Sequence, residues 1–139
     1  MLLYYGMDHE KRTPIPESVN KVSGEVVHAA YVVHSTFGPG LLESIYESCL
    51  IQDLKLRGLK TRSQVALPID FEGMRIERGL TLDLLVEDCV VVEVKSVLEI
   101  HPVHVQQLLT YLKITGKRVG LLINFNTALI KDGIKRVVL

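Results

Sequence analysis

Two acidic residues and a lysine interrupt a strongly apolar stretch of the chain, Thr81–Ser96, with the sequence TLDLLVEDCVVVEVKS. Side chains alternate between the two faces of a strand, so Glu93 and Lys95 project together while the alternate valines project from the opposite face. Buried charges cost several kcal/mol unless they are paired or bind a metal. The pattern therefore indicates a site that uses Asp83, Glu93 and Lys95.

The register of the hairpin decides whether the two carboxylates meet. If Glu87–Cys89 forms a three-residue loop, Asp83 lies opposite Glu93 on one face, with Cβ atoms about 4.5–5.5 Å apart. The residues expected to join the alternate valines on the apolar face are then Leu82, Leu84 and Val86. A two-residue loop would place the carboxylates on opposite faces, so we expect the odd-length loop.

A divalent cation is the simplest partner for two opposed carboxylates, which otherwise repel each other. Mg²⁺ prefers oxygen ligands and keeps several waters, so Asp83 and Glu93 suit it, and the Val94 carbonyl is a candidate third ligand. Lys95 would then orient or help deprotonate a water, or stabilise charge on a phosphate. The competing interpretation is a surface ion pair at a sheet edge, which contributes little energy.

Three further residues become candidates only beside such a site. Gln107 and Tyr111 in QLLTYL are four apart and project from one helical face, as they would on an ordinary amphipathic helix. Glu43 is three residues from both Gly40 and Tyr46, and by itself it is better explained as a first-turn glutamate that favours the helix dipole.

Other reactive residue types give weaker signals. His101 and His104 have no partner Cys/His pair and are better explained as a polar rim than as zinc ligands. The serines lack a His–Asp arrangement typical of a nucleophile. Cys49 and Cys89 each lie in an apolar run, and we expect small buried side chains in a reducing compartment.

Composition limits the class of protein. The chain has 139 residues, 47% of them hydrophobic, and a net charge of zero, which is typical of one folded domain without a global signal for nucleic acid. We find no apolar run of the roughly 20 residues that a membrane helix needs, and MLLYYG is too short for the core of a signal peptide. We expect a cytoplasmic protein that does not bind membranes.

Periodicity predicts the elements that must position these residues. We expect a loose arm over 1–16, and then one domain over 17–139. Helices are predicted from Glu17 to the FGPG breaker, from about Leu41 to Leu56, and from Pro102 to Thr115. The buried side of the second helix is predicted to carry Leu42, Ile45, Tyr46, Cys49, Leu50 and Leu54. The predicted strands are 64–71, 75–86, 90–96, 119–125 and 134–139.

This order predicts an α/β fold (α+β mixed sheet) of four or five strands with the order α-α-β-β-β-α-β-β. A doubly wound nucleotide fold would alternate strand and helix throughout, and no glycine-rich phosphate loop follows a strand. The crossover through 102–115 should place 119–125 parallel to one strand of the hairpin.

Several motifs together resemble one family. The segment GPGLLESIYE carries Gly40, Glu43 and Tyr46 in a GxxExxY pattern and is similar to the GxxExxY family of small prokaryotic proteins. Three later segments resemble the same family in the same order: LDLLVEDCVVVEVKSV, HPVHVQQLLTYL and RVGLLINF. That family is placed in the PD-(D/E)XK nuclease superfamily, so the resemblance implies a restriction-endonuclease-like core. Leu82 stands where the superfamily often has proline.

The resemblance also implies roles for the candidate residues. It assigns Asp83 and Glu93 as metal ligands and Lys95 as catalytic, with Glu43 assisting the metal and Gln107 and Tyr111 steadying the site. The implied function is a Mg²⁺- or Mn²⁺-dependent nuclease acting on nucleic acid, with DNA as the expected substrate.

Two other functions compete with this one. One is a binding or assembly module that keeps the nuclease fold without turnover, including a homodimer formed through the last strand or the first helix. The other is a component of a defence or toxin–antitoxin system. The basic residues available for phosphate contacts are scattered: Arg62, Arg75, Arg78, Lys113 and Lys117.

Overall fold

A computed structural model describes residues 2–4 and 13–139 of the chain. It contains the helices α1 (Glu17–Phe37), α2 (Glu43–Leu56) and α3 (Pro102–Thr115). The strands are β1 (Leu2–Tyr4), β2 (Thr61–Phe71), β3 (Met74–Val86), β4 (Val90–Lys95), β5 (Val119–Asn124) and β6 (Ile134–Val138). A short 3₁₀ helix, Ile130–Gly133, precedes β6. Of these described helices, none is long and apolar enough to cross a membrane.

The strands form one mixed sheet in the order β1-β6-β5-β4-β3-β2. β4 and β5 pair in parallel, as expected from the crossover through α3, and β1 also pairs in parallel with β6. The other neighbouring pairs are antiparallel. The predicted α/β fold is confirmed, and the sheet has six strands because β1 adds one strand to the predicted four or five.

The additional strand comes from the segment that the sequence predicts as a loose arm. Leu2–Tyr4 pairs with Arg136–Val138, where the edge of β6 offers free backbone groups that an extended segment can bind. Residues 1 and 5–12 of that arm lie outside the described part of the chain.

Helices cover both faces of the sheet. The buried residues of α1 and α2 pack with Leu84, Val86 and the alternate valines of β4. On the other face, the buried residues of α3 pack with Leu85 and Val91. β5 lies between these two layers and is buried along its whole length, as its continuous apolar run predicts.

Three residues expected in the first layer lie elsewhere. Leu82 packs in the layer that contains α3, because the regular pairing of β3 is interrupted at Asp83 and the alternation of faces shifts there. Leu42 is 70% exposed because it precedes the first helical residue of α2. Ile45 is 42% exposed because the buried stripe runs through Tyr46, one position further.

The cysteines also differ from expectation. Cys49 and Cys89 are half-buried rather than fully buried, and both are free thiols. Cys89 lies in the turn between β3 and β4, where burial and the neighbouring Glu87 raise the pKa of its thiol. A raised thiol pKa makes a residue less nucleophilic, so Cys89 has the properties of a packing residue.

Candidate active site

The β3–β4 hairpin brings the two candidate carboxylates together. Val86 pairs with Val90, so the loop has the odd length that the sequence predicts. Regular pairing continues to Leu84 and Val92 and ends there. Asp83 and Glu93 are the next residues of the two strands, and the carboxylates therefore lie where the backbone ladder stops.

Each carboxylate replaces a missing backbone partner in the opposite strand. The Val94 amide donates to Asp83 Oδ2 at 2.8 Å. The Asp83 amide donates to Glu93 Oε1 at 3.3 Å. Buried amide groups need acceptors, so these contacts satisfy the backbone and also fix both side chains. The group of Val94 that contacts Asp83 is its amide. That the Val94 carbonyl binds a metal stays a prediction.

Glu93 is held in an environment that disfavours its charge. Its side chain is only 6% exposed. Burial and the nearby Asp83 carboxylate raise the pKa of Glu93 to about 8, and the Lys95 ammonium opposes this shift. Of the ion pairs between described residues, none contains Asp83 or Glu93. Among the described residues, no ion pair therefore offsets the cost of ionising Glu93 beside Asp83.

Lys95 ends β4 and is fixed there by the neighbouring strand. It pairs with Asn124 of β5, and its carbonyl accepts a hydrogen bond from the Phe125 amide at 2.9 Å. The Asn124 side chain is buried, accepts from the Val97 amide at 3.1 Å and donates to the Val97 carbonyl at 2.9 Å. The backbone on both sides of Lys95 is thus anchored, while its side chain is half-buried.

The Gly40–Tyr46 segment supports the same end of β4. Glu43 Oε1 accepts a hydrogen bond from the Ser96 amide at 3.2 Å, and the Ser96 hydroxyl donates to the Leu41 carbonyl at 2.6 Å. The structure therefore connects Glu43 to the residue directly after Lys95. This contact gives Glu43 a role in addition to the helix-dipole effect that its position alone suggests.

Tyr46 has a structural role in this segment. Its ring is fully buried and stacks on Phe125 with centroids 4.5 Å apart. Its hydroxyl donates to the Gly38 carbonyl at 2.5 Å and accepts from the Leu41 amide at 3.1 Å. The tyrosine thereby holds the turn between α1 and α2 against the sheet, which places Glu43 beside Ser96.

The two residues predicted on α3 have different environments. Tyr111 is 5% exposed, and burial together with the Glu93 and Asp83 carboxylates raises the pKa of its hydroxyl. Gln107 is exposed and makes no side-chain hydrogen bond with any described residue. Tyr111 is therefore buried within range of the charge of both carboxylates, whereas Gln107 lies at the surface.

A family model for the PD-(D/E)XK nuclease superfamily matches residues 20–137. The match extends over most of the chain and includes every candidate residue described above. The chain belongs to the PD-(D/E)XK nuclease superfamily. No curated protein and no solved structure matches the sequence. The mixed sheet with its flanking helices agrees with the restriction-endonuclease-like fold of this superfamily.

PD-(D/E)XK nucleases generally use divalent metals, and the donor chemistry here fits one. Asp83 and Glu93 supply hard oxygen ligands, and neither forms an ion pair with a described residue. Among residues 2–4 and 13–139, no group of three or more acidic, histidine or cysteine side chains is preassembled for a metal. Mg²⁺ accepts such a site, because it commonly binds through one or two carboxylates and fills its other positions with water.

Sequence reasoning missed two polar residues beside Asp83 in this candidate site. The Gln64 amide in β2 donates to Glu47 Oε1 at 2.9 Å, and Asp83 Oδ1 is 3.5 Å from the same nitrogen. Burial raises the pKa of Glu47; the Gln64 hydrogen bond opposes the shift, and the Asp83 and Glu43 carboxylates add to it. Glu47 is one helical turn after Glu43, a spacing that is visible in the sequence but common on any helix.

His104 also lies nearer the site than its interpretation as a rim residue implies. Burial, followed by the charges of Lys95 and His101, lowers the pKa of His104, while Glu43 opposes the shift. Its Nδ1 accepts from the His101 amide at 3.2 Å, within the first turn of α3. His104 is therefore a helix-capping residue near Lys95 and Glu43.

The residues expected to contact phosphate are dispersed. Arg75 forms ion pairs with Asp70 at 3.7 Å and Glu77 at 3.0 Å, near the tip of the β2–β3 hairpin. Lys117 lies 3.5 Å from Asp88, which belongs to the turn at the opposite end of β4 from Lys95. Arg62, Arg78 and Lys113 are exposed.

Proposed function

We propose that this protein is a metal-dependent nuclease that hydrolyses phosphodiester bonds in DNA, with Mg²⁺ or Mn²⁺ as its cofactor. The observation that carries the proposal is that Asp83 and Glu93 come together at the end of the β3–β4 ladder, with Lys95 two residues after Glu93 on β4. Asp83 and Glu93 are held by backbone amides, and Lys95 follows Glu93 on the same strand face. Superfamily membership supports the same reaction.

Each residue has a defined task in this proposal. Asp83 and Glu93 hold the cation, which when bound polarises the phosphate and supplies an activated water. Lys95 carries a positive charge beside the carboxylates and stabilises negative charge that develops on the phosphate. Tyr111 is buried, the charges of both carboxylates add to the rise in the pKa of its hydroxyl, and it orients a phosphate oxygen or a water. Glu43 assists the metal from α2, and Gln107 contacts substrate from the surface of α3.

The GxxExxY assignment belongs to the same proposal. Gly40, Glu43 and Tyr46 carry that pattern, and their contacts support a shared purpose. Tyr46 holds the α1–α2 turn, and the turn places Glu43 on the Ser96 amide next to Lys95. The proposed setting is the cytoplasm, with nucleic acid as the partner. Because the basic residues are dispersed, we expect binding to depend only weakly on salt.

The decisive experiment is a calorimetric titration with Mn²⁺ and Mg²⁺, combined with a plasmid-nicking assay on the same samples. The wild type is compared with Asp83→Ala, and with Asp70→Ala as the matched control on the exposed part of β2. We expect metal binding and nicking in the wild type and the control, and loss of both in Asp83→Ala.

Three outcomes would contradict this expectation. If the wild type binds no metal, Asp83 and Glu93 only replace backbone partners, and the enzyme proposal is wrong. If it binds metal but does not nick DNA or RNA, the chain is a binding or assembly module that retains the nuclease fold. Cleavage that survives in Asp83→Ala would place the reaction at another site.

A further inference from the structure

Gln64 has a backbone conformation that its place in a strand does not explain. Its φ is +51°, in the left-handed region that L-residues other than glycine rarely adopt. The other described non-glycine residues with positive φ are Glu72, Glu87 and Asp88. Those three lie in the turns of the two hairpins, where tight turns commonly require positive φ. Gln64 lies within β2, so no turn requires its conformation.

The position of Gln64 relates this conformation to the candidate site. Ser63 pairs with Leu84 and Val65 pairs with Leu82, so Gln64 falls opposite Asp83, where no regular pair forms. Pairing of β3 with β4 ends at the same residue. The ladder is thus interrupted on both sides of Asp83, and the strained residue is at one of these interruptions.

The Gln64 side chain bridges two carboxylates from different elements. Its nitrogen is 2.9 Å and 3.2 Å from the two Glu47 oxygens and 3.5 Å from Asp83 Oδ1. A carboxylate only accepts hydrogen bonds, so the amide nitrogen is the group that faces both. An amide donor holds the two acids near each other without cancelling their charge, whereas lysine or arginine would neutralise it. The negative charge therefore remains available to a cation.

We propose that Gln64 is a positioning residue of the metal site, and that its left-handed backbone directs the amide so that Glu47 is held beside Asp83. Glu47 is then a further acidic group that faces the hydration shell of the cation. This inference rests on the proposed metal-dependent function. Residues that hydrogen-bond to metal ligands typically change metal affinity by about 10–100-fold when they are replaced.

The experiment separates this role from a purely structural one. Gln64→Gly removes the amide and also relieves the positive φ, since glycine adopts that region readily. We expect a thermal unfolding midpoint, measured with chelator and without metal, that is equal to or above that of the wild type. We expect Mn²⁺ affinity, measured by calorimetry, to fall about 10-fold or more. If Gln64 had only a structural role, Gln64→Gly would lower the unfolding midpoint and leave the Mn²⁺ affinity unchanged.

Two further variants complete the design. Glu72→Gly is the matched control, because it relieves a positive φ of +46° at an exposed turn, and we expect unchanged Mn²⁺ affinity. Gln64→Asn keeps an amide and tolerates the left-handed backbone, but its shorter side chain cannot reach both acids. We expect Gln64→Asn to lose Mn²⁺ affinity as Gln64→Gly does. The test therefore stays valid if the glycine variant does not fold.

The outcomes distinguish this inference from the proposed function. If the wild type binds and nicks but both Gln64 variants retain its Mn²⁺ affinity, the inference is wrong and the nuclease proposal stands. A wild type that binds no Mn²⁺ overturns both. Equal losses in the Gln64 variants and in Glu72→Gly would show a general effect of the backbone change, and would also overturn the inference.

Discussion

The two halves of the β3–β4 hairpin have the same strands but opposite chemistry. In the paired half, Leu84–Val86 and Val90–Val92 are all buried and joined by a regular ladder. In the open half, which begins one residue further, Asp83 faces Glu93 and neither strand continues the ladder. Carboxylates therefore replace apolar side chains at the first residue beyond the ladder on each strand, while the next residues, Leu82 and Val94, are again buried.

Backbone hydrogen bonding explains this difference. In the paired half, backbone groups of the two strands satisfy each other, so the side chains are free to be apolar. In the open half, the Asp83 and Val94 amides bind carboxylates instead of carbonyls. Buried amides must have partners, and this requirement holds the acids in position before any cation arrives. The site is therefore preorganised by the same groups that complete the fold.

The largest expected effect is on the stability of the paired half. Leu84→Ala leaves a cavity between β3 and the α1–α2 layer, and we expect it to lower the free energy of unfolding by about 2–5 kcal/mol. Urea unfolding measures this change. Leu98→Ala is the matched control, because Leu98 is 96% exposed, and we expect a change within about 0.5 kcal/mol. Equal effects of the two substitutions would contradict the packing that defines the paired half.

The next effect concerns catalysis in the open half. Lys95→Met keeps the length of the side chain but removes its charge, and we expect the rate of plasmid nicking to fall about 10²–10³-fold. Mn²⁺ affinity, measured by calorimetry, should be retained because Lys95 is not a metal ligand. Lys131→Met, at an exposed lysine outside the site, is the control and should nick at the wild-type rate. Nicking that persists in Lys95→Met would exclude a catalytic role for this lysine.

A smaller effect follows from the raised pKa of Glu93. Its folded-state pKa of about 8 exceeds the ordinary value of 4.5, so its contribution to stability is fully present below 4.5 and is lost as pH rises through about 8. Glu93→Gln removes this titration but can still accept from the Asp83 amide. Without metal, we expect the variant to gain stability relative to the wild type as pH rises across that window.

Urea unfolding of both proteins at a series of pH values checks this expectation. Added Mg²⁺ or Mn²⁺ should stabilise the wild type more than Glu93→Gln, because a cation favours the charged carboxylate. The difference in stability between the two proteins should therefore become smaller. A difference in stability that does not change with pH would mean that Glu93 titrates at its ordinary value, and that the open half is more solvated than its burial indicates.

The smallest signal is proton release on metal binding. Because the pKa of Glu93 is about 8, this residue is mostly protonated at neutral pH and must lose its proton when it binds a cation. Calorimetric titration in buffers with different ionisation enthalpies measures the released protons. We expect about one proton per Mn²⁺ near pH 7, and close to none near pH 9. Heats that do not depend on the buffer near pH 7 would contradict Glu93 as a ligand.

Much of the β3–β4 hairpin could be predicted from the sequence, because strand alternation and loop length depend on residues that are close together in the chain. Strand alternation placed Glu93 and Lys95 on one face, and the odd loop that was needed to oppose Asp83 and Glu93 is present. The same reasoning was wrong for Leu82, because alternation holds only where the ladder is regular. That interruption coincides with the site, where polar side chains replace backbone partners.

The residues around the carboxylates could not be predicted in the same way. Gln64 and Glu47 come from β2 and α2, and nothing in either segment indicates that their side chains meet. Gln107 and Tyr111 have a spacing that predicts a shared helical face, yet Tyr111 is buried and Gln107 is exposed. A pattern of spacing defines a face within one helix, but the rotation of that helix against the sheet decides which residue of the face is buried.

By itself the sequence determined the three α-helices, the strands β2 to β6 and the odd loop of the β3–β4 hairpin that opposes Asp83 and Glu93, because interactions within a few residues set periodicity and turn length. It did not determine β1, which depends on pairing with the distant β6. Only the tertiary structure decided that Glu43 binds the Ser96 amide, that Gln64 joins Glu47 to Asp83, and that Tyr111 is buried. The physical reason is that these contacts join segments far apart in the chain, and the packing of the helices against the two faces of the sheet brings them together.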